Sequence, residues 1–576
     1  MAKEKTRSNP REPGRLARLI PLLQWAPGYQ QSWLRFDLIA GLTVTALVVP
    51  KALGYAGIAG VPIQYGLYAA AAGAILYALF GTSRQISTGP SSALAAVAGS
   101  AVVVAGATSD DNAVTLVAAI TFVTGILFLL LALFKMGWIS QFLSKAVITG
   151  FLFGAAIEVV IGELPKVTGT QVEGANAWQD LYGWFKSLPE TDGTTLLVGL
   201  VSLLVIFGLR RVAPRIPGAL VLVIGGLVAS ALFGLGERGL ALVGDVPSGL
   251  PSLALPNPRY VLENLPVIGA ASIGLLLIGF SQSAGDARAF AARHKYRIDI
   301  NQESVAQGIS NVGSGLVQAI PVSTSLSASS LNDTSGAKTP VASLTTGGLV
   351  ILTLLFLAPL FSDLPKAVLA AIIIEAVVMG MIDLPEMRRL YRVARVDFWI
   401  AVAAILGVLS AGVLAGVIIG IVLSIGWLIY ISATPHMQVL GRQPRTQVFR
   451  GVEDHPDSET YPGLLVLRFD AGLFFASSDA LEDRLRELYQ QADPQLHTVV
   501  LDFEGVNFID SQGADKVAEI LDLAISADIE LRLTRVKTRV LEVLRRDGFI
   551  DRLGENKVYG NVFEAAADKI REERAG

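Results

Sequence analysis

Long apolar stretches broken by short polar segments fill the first three quarters of the chain, and a shorter-period alternation fills the rest. About 20 apolar residues cross a bilayer as a helix. On that measure the pattern predicts 14 spans, near 36–56, 65–81, 85–106, 113–134, 141–162, 194–209, 216–235, 265–285, 299–318, 322–337, 339–358, 364–382, 396–411 and 412–431. The ninth and tenth are the most polar and shortest. The uncharged run 398–441 is too long for one span, and Ser410-Ala411-Gly412 marks the hairpin break within it. From residue 463 strands are predicted at 464–469, 498–502 and 530–535, and helices at 479–491, 513–526 and 538–547, the alternation of a small soluble α/β domain.

Two polar breaks read alike, Ser87-Thr88-Gly89-Pro90-Ser91-Ser92-Ala93 and Ser323-Thr324-Ser325-Leu326-Ser327-Ala328-Ser329. Backbone that leaves the helix at membrane depth is tolerated only where protein or a water-filled cavity surrounds it. Such breaks at matching places in two hydrophobic halves point to a transporter's substrate site. They fall in the third and tenth spans, equivalent places if each half has seven helices. Seven is odd, so the halves insert in opposite orientations, which is the inverted-repeat plan. Ser, Thr and Gly favour an extended segment before a short helix, from Ser91 in one half and Ser327 in the other. Two helix N-termini then face each other, each with unpaired N–H groups and about half a positive charge. That arrangement suits an anion.

Charge divides the chain. Residues 1–435 carry 28 Lys/Arg and 23 Asp/Glu, and residues 436–576 carry 18 and 26. The charged fraction rises from about 12% to about 31% near Thr434-Pro435, so a basic membrane domain precedes an acidic soluble one. The overall net charge of −3 averages the two and says little about partners. The absence of cysteine excludes disulfides, thiolate metal sites and Cys nucleophiles. His294, His436, His455 and His497 are scattered without zinc-type spacing. No cofactor, metal or nucleic-acid partner is expected, and with no P-loop or catalytic dyad neither is an enzyme.

The N-terminal arm is basic (Lys3, Lys5, Arg7, Arg11, Arg15, Arg18) and lacks a signal-peptide pattern. It is expected in the cytoplasm, with residues 15–23 along the membrane surface. Basic clusters at Lys135/Lys145, Arg210/Arg211/Arg215, Arg288/Arg293/Lys295/Arg297 and Arg388/Arg389/Arg392/Arg395 follow the fourth, sixth, eighth and twelfth spans. With the N-terminus inside, all four are cytoplasmic, and an even count leaves the C-terminal domain cytoplasmic too. The expected parts are an arm (1–34), a transmembrane domain (35–433), a linker (434–461), a soluble domain (462–570) and a tail (571–576), in a plasma membrane.

Several motifs resemble the sulfate permease (SulP) family of inorganic-anion transporters. They are Asp37-Leu38-Ile39-Ala40-Gly41-Leu42-Thr43, Pro50-Lys51-Ala52-Leu53-Gly54-Tyr55-Ala56, Gly66-Leu67-Tyr68, and the run from Leu79 through Gly81 and Arg84 to Gly89-Pro90. Asn301-Gln302-Glu303, Gly308, Asn311 and Ser335-Gly336-Ala337-Lys338-Thr339 continue the match in order. The resemblance implies a mainly α fold of 14 transmembrane segments in two inverted seven-helix repeats, forming a core that moves against a gate. It also implies a cytoplasmic STAS domain, which here would carry the turn Asp510-Ser511-Gln512-Gly513. The anion would sit between the third and tenth half-helices, flanked by the first and eighth. Carried onto this chain, that selects Lys51, Tyr55, Gly89, Ser91, Ser92, Gln282, Ser325, Ser327 and Ala328. Family members are often homodimers.

The chain departs from the family pattern near that site. Lys51 stands where Gln is usual, Gln282 where Glu is usual, and Ser327-Ala328 where Ser-Arg is common. Lys51 would restore the lost cation and hold the anion; the alternative is that it snorkels to an interface. Asp286, one helical turn on from Gln282, would influence coupling to H+ or Na+; the alternative is a pair with Arg288. Glu158 and Glu375 fall in gate helices away from the half-helices, which favours a structural role. Ser511 would be a regulatory phosphorylation point through which a cytoplasmic regulator acts, unless Asp510-Ser511 only caps the next helix. The expected function is secondary transport of sulfate, bicarbonate, chloride or a small dicarboxylate. The alternatives are a nucleobase transporter of the same architecture and a membrane-tethered signalling scaffold.

Overall fold

The computed structural model describes residues 20–107, 109–136, 144–172, 174, 176–214, 216–492 and 495–575. The basic residues from Lys3 to Arg18, Arg215 and the first residues of the expected fifth span lie outside them. The chain divides into two compact units, up to Ser424 and from Ile425.

The first unit is helical. Its long elements are α1 (Gln31–Ile58), α2 (Gln64–Phe80), the short strand β1 (Thr88–Pro90), α3 (Ser92–Val104), α4 (Asp110–Leu133), α5 (Lys145–Thr168), α6 (Gly193–Val212) and α7 (Gly218–Phe233). They continue with α8 (Leu265–His294), α9 (Ile300–Leu316), the strand β2 (Val322–Thr324), α10 (Leu326–Thr334), α11 (Val341–Leu352), α12 (Lys366–Met381) and α13 (Arg395–Ala433). Among the described residues, 8 helices are long and apolar enough to cross a membrane. Each expected span overlaps one of the helices α1–α13, and those near 85–106 and 322–337 also take in the strand before the half-helix. The long α13 is broken where expected: Ala411 leaves helical geometry and Gly412 takes φ 83°, a conformation open to glycine.

Two groups of helices form. In one, α9 lies along α4 and α2, α11 along α1 and α2, and α8 along α4. In the other, α12 packs against α5 and α6, with α7 on α6. The seam runs where α12 meets α1 and α3. Small residues permit the closest approaches: a Cβ on Gly66 would stand 1.9 Å from the Ala52 carbonyl oxygen, so α1 and α2 touch backbone to backbone.

Buried polar side chains tie distant segments by holding backbone groups, which is how a polar atom survives in an apolar interior. The Asp37 carboxylate is fully buried and accepts from the Lys338 N–H (2.7 Å), the Thr339 N–H (3.1 Å) and the Thr339 hydroxyl (2.7 Å). Glu303 accepts from the Tyr77 hydroxyl (2.6 Å) and the Thr82 N–H (2.8 Å), fastening α9 to the end of α2. Asn311 donates to the Val322 carbonyl (2.9 Å) and accepts from the Val322 N–H (3.0 Å), so one amide from α9 grips β2 at both of its polar groups.

The second unit holds a 6-stranded sheet ordered β4-β3-β5-β6-β7-β8. Its strands are β3 (Met437–Arg442), β4 (Phe449–Gly451), β5 (Leu464–Phe469), β6 (Thr498–Asp502), β7 (Glu530–Thr534) and β8 (Val558–Tyr559). From β5 to β8 the neighbours are parallel, joined by α14 (Ser478–Gln491), α15 (Ser511–Ser526) and α16 (Thr538–Arg546). Leu467, Leu501, Leu533 and Phe503 fill the core. The expected linker 434–461 is corrected here. Within it, β3 pairs antiparallel with both β4 and β5, so residues 437–442 and 449–451 belong to the sheet. Its strands are short and interrupted by charged and turn residues, which hid their alternation.

Candidate functional site

Thr, Gly and Pro at 88–90 and Val, Ser and Thr at 322–324 resist helix, and the two segments pair with each other instead. β1 and β2 are antiparallel, with Thr88 opposite Thr324, Gly89 opposite Ser323 and Pro90 opposite Val322. Beyond the ladder, the Ser325 N–H donates to the Ser87 carbonyl (3.1 Å) and the Ser87 N–H to the Ser329 hydroxyl (2.9 Å). Two half-helices therefore start from one ribbon and leave it in opposite directions. Ser91 is the N-cap of α3 without a side-chain capping bond, and the Ser325 hydroxyl caps α10 by accepting from the Ala328 N–H (3.4 Å). The helices begin at Ser92 and Leu326, within one residue of the expected starts.

A cavity of about 510 Å³ opens against these two N-termini. α1 contributes Lys51 and Tyr55, the start of α3 contributes Ser91 and Ser92, α8 contributes Gln282 and Asp286, and α10 contributes Ser325 and Ser327. The other two expected residues, Gly89 and Ala328, line a small adjoining cavity of about 20 Å³ together with Lys51 and Tyr55. The structure thus gathers every residue proposed for the membrane site from four separated stretches of chain. The soluble unit has a cavity of its own, about 230 Å³ and mostly apolar, between α14, α15 and the sheet; none of the site residues lines it.

Lys51 reaches the cavity and forms no ion pair among the described residues. The Asp286 carboxylate accepts from the Thr324 hydroxyl (2.8 Å), so its partner is β2 and not Arg288. The Gln282 side-chain oxygen faces the Ser323 hydroxyl at 3.4 Å. Both α8 polar groups thereby brace the ribbon from behind while presenting polar atoms to the cavity.

Two charged residues of this cavity were not expected in it. Glu375 lines it, which corrects the reading that it stands away from the half-helices, and it accepts from the Arg210 guanidinium at 2.6 Å. Arg210 was read only as part of a cytoplasmic basic cluster. Helix α12 crosses close to α3, and a Cβ on Gly380 would stand 3.9 Å from the Ser92 hydroxyl. Glu375 alone carried a signal in the sequence, as an acid inside an apolar span, where charge is costly unless paired; nothing local named Arg210 as its partner. Glu158, the other such acid, is not among the residues lining this cavity, and its Oε2 is buried without a hydrogen-bond partner among the described residues.

In the soluble unit, Asp510 caps α15. Its carboxylate accepts from the Gly513 N–H (2.8 Å) and from the Phe475 N–H (3.1 Å). Ser511 is the first helical residue and is exposed, with its hydroxyl left out of the cap.

Comparison with known proteins bears on the whole chain. Residues 34–404 match the model of the sulfate permease family, and residues 455–565 match that of the STAS domain. A probable sulfate transporter of Mycobacterium tuberculosis is 33% identical over 541 residues, covering 93% of this chain and 96% of that protein. The chloroplastic sulfate transporter 4.1 of Arabidopsis thaliana is 31% identical, covering 95% and 82%. Among solved structures, the murine Solute Carrier 26 family member A9 anion transporter, in the inward-facing state, superposes with a TM-score of 0.88 at 21% identity over 99% of this chain and 97% of that one. The transmembrane domain of a cyanobacterial bicarbonate transporter gives 0.57 at 23% identity over 69% and 99%. With its helical transmembrane unit, its STAS domain and a relative this similar along nearly its full length, the chain belongs to the sulfate permease family, a family of membrane transporters and not of enzymes.

Proposed function

We propose that the protein is a secondary transporter that moves a small inorganic anion by alternating access. The carrying observation is the β1–β2 ribbon, which aims two half-helix N-termini at a cavity that also receives the unpaired Lys51. Each N-terminus offers free N–H groups and a partial positive charge, and Ser91, Ser92, Ser325 and Ser327 add hydroxyls. The anion rests on these groups and on Lys51, while Tyr55, Gly89, Gln282 and Ala328 shape the cradle. Sulfate leads the candidates, since the Mycobacterium and Arabidopsis relatives are named for it. Bicarbonate, chloride and a small dicarboxylate follow.

Arg210 and Met381 line the cavity near the C-terminal ends of α6 and α12, the ends that the positive-inside bias assigns to the cytoplasm. On that topology the cavity opens inward. Asp286 is the candidate for coupling to H+ or Na+, because it is the cavity acid held by the ribbon itself.

Uptake by the reconstituted protein tests this reading. Proteoliposomes are offered sulfate, bicarbonate, chloride, succinate and uracil, with and without pH and sodium gradients. Uptake of an anion that competes with sulfate is expected. Transport of uracil alone, or of nothing, overturns the reading in favour of a nucleobase carrier or a signalling scaffold. Loss of gradient dependence in Asp286→Asn, with exchange retained, is the expected result for its role.

A further inference from the structure

Four charged side chains line the membrane cavity, and they fall into two kinds. Lys51 stands without an ionic partner among the described residues, and Asp286 is held by a hydroxyl. Arg210 and Glu375 instead neutralise each other at 2.6 Å, across two gate helices, α6 and α12. The Glu375 side chain is 9% exposed and fixed, whereas the Arg210 side chain is 48% exposed. A guanidinium has five donors, and the bond to Glu375 engages one nitrogen, leaving further donors to face an oxyanion.

We propose that the Arg210–Glu375 pair is a charge lock that sets which anion charge the cavity accepts, with Glu375 holding off a second cation that would otherwise act on the substrate. This rests on the anion-transport reading and extends it to specificity. With the lock closed, the cationic groups free to face an anion are Lys51 and the two helix N-termini. Freeing Arg210 adds a full positive charge to the same cavity. The attraction between charges scales with their product, so a divalent oxyanion gains twice the binding free energy that a monovalent one gains. If monovalent binding tightens by about tenfold, divalent binding tightens by about a hundredfold, and selectivity moves by about tenfold toward the divalent ion. A pair that merely holds α6 to α12 has no such dependence on valence.

The test compares full-length wild type, Glu375→Gln, Arg210→Gln and the double variant in proteoliposomes, reading KM and kcat for sulfate and bicarbonate separately. Glu375→Gln is expected to lower the sulfate KM relative to the bicarbonate KM by about tenfold, with sulfate turnover slowed by tight binding. Arg210→Gln exposes an unbalanced Glu375 and is expected to raise both KM values, that of sulfate more. The double variant, which removes both charges of the pair together, is expected to return the ratio to that of wild type. The proposal is overturned if the single variants depress kcat equally for both ions with the KM ratio unchanged, or if the double variant shifts the ratio as far as a single one does. Calorimetric titration of the detergent-solubilised proteins with sulfate and with chloride reads the divalent-to-monovalent preference without transport. Wild-type liposomes that take up neither anion therefore count against the transport reading, and the lock is still decided by binding.

Discussion

Replacing Asn311 with leucine tests whether the ribbon is held from α9. The two side chains are close in size, so the change removes polarity with little loss of volume. Asn311 is fully buried, and its amide meets the N–H of Val322 at 3.0 Å and its carbonyl at 2.9 Å. Leucine leaves both of those backbone groups without a partner in a buried strand. A buried unsatisfied donor or acceptor costs about 1–3 kcal/mol, which makes the expected loss about 2–6 kcal/mol before the relief of no longer burying an amide. Thermal unfolding of the detergent-solubilised protein, followed by intrinsic fluorescence, should show a midpoint lower by at least ~2 °C. Asn311→Asp should be worse, because it sets a carboxylate oxygen against the Val322 carbonyl where a donor stood. Liposomes carrying folded Asn311→Leu should show a raised KM, since β2 leads directly into α10 and its N-terminus. A leucine variant that melts within ~1 °C of wild type and keeps its KM refutes the argument that this amide positions the site.

Other expectations follow from single contacts. Lys51→Gln removes the unpaired cation and should raise the anion KM by roughly tenfold to a hundredfold, while Lys51→Arg should keep most of the affinity; uptake kinetics decide. In the soluble domain, Arg532 donates to both oxygens of Asp568 (2.7 Å each) and these bonds hold its carboxyl down at about 2. A depressed carboxylate stabilises the fold above its ordinary value near 3.8, and that contribution disappears as pH falls through about 2. Asp568→Asn should thus destabilise residues 434–576 in urea at pH 7, by less than about 1 kcal/mol because the side chain is 45% exposed, and the difference should vanish at acid pH. Asp510→Ala should cost about 1 kcal/mol or more, as it leaves the Gly513 and Phe475 N–H groups unmet. Ser511→Glu should leave α15 intact in hydrogen exchange, since the exposed Ser511 takes no part in the cap.

Much of this was legible in the sequence, because it depends on one stretch of chain at a time. Apolar run length located the helices, and Ser410-Ala411-Gly412 located the break in α13. The Ser/Thr/Gly content of the two breaks announced non-helical backbone. It did not announce that the breaks would bond to each other with Pro90 opposite Val322, since register between segments so far apart depends on the packing of α2, α8 and α9 around them. The Arg210–Glu375 pair was illegible for the same reason: each residue had a sufficient local explanation, and only the crossing of α6 and α12 brings them together. Asp37, Glu303 and Asn311 carried the family resemblance, yet their work is to hold backbone and not to touch the cavity. The strand β3 was hidden by the change in composition around it, which was read as a boundary.

The β1–β2 ribbon has a consequence for the direction of flow. Because the two half-helices spring from strands bonded to each other, and Asn311, Ser329 and Asp286 brace the same strands, neither N-terminus can withdraw without breaking the other's support. In an alternating-access cycle such a cradle travels as cargo together with its passenger. On the proposed cycle the groups carried by the ribbon meet an anion from either face unchanged, and a difference in affinity between the faces falls to the other cavity residues, Arg210 and Glu375 among them. The ribbon thus supplies no preference of its own for import or export, and on the proposed cycle net movement follows the gradients across the membrane.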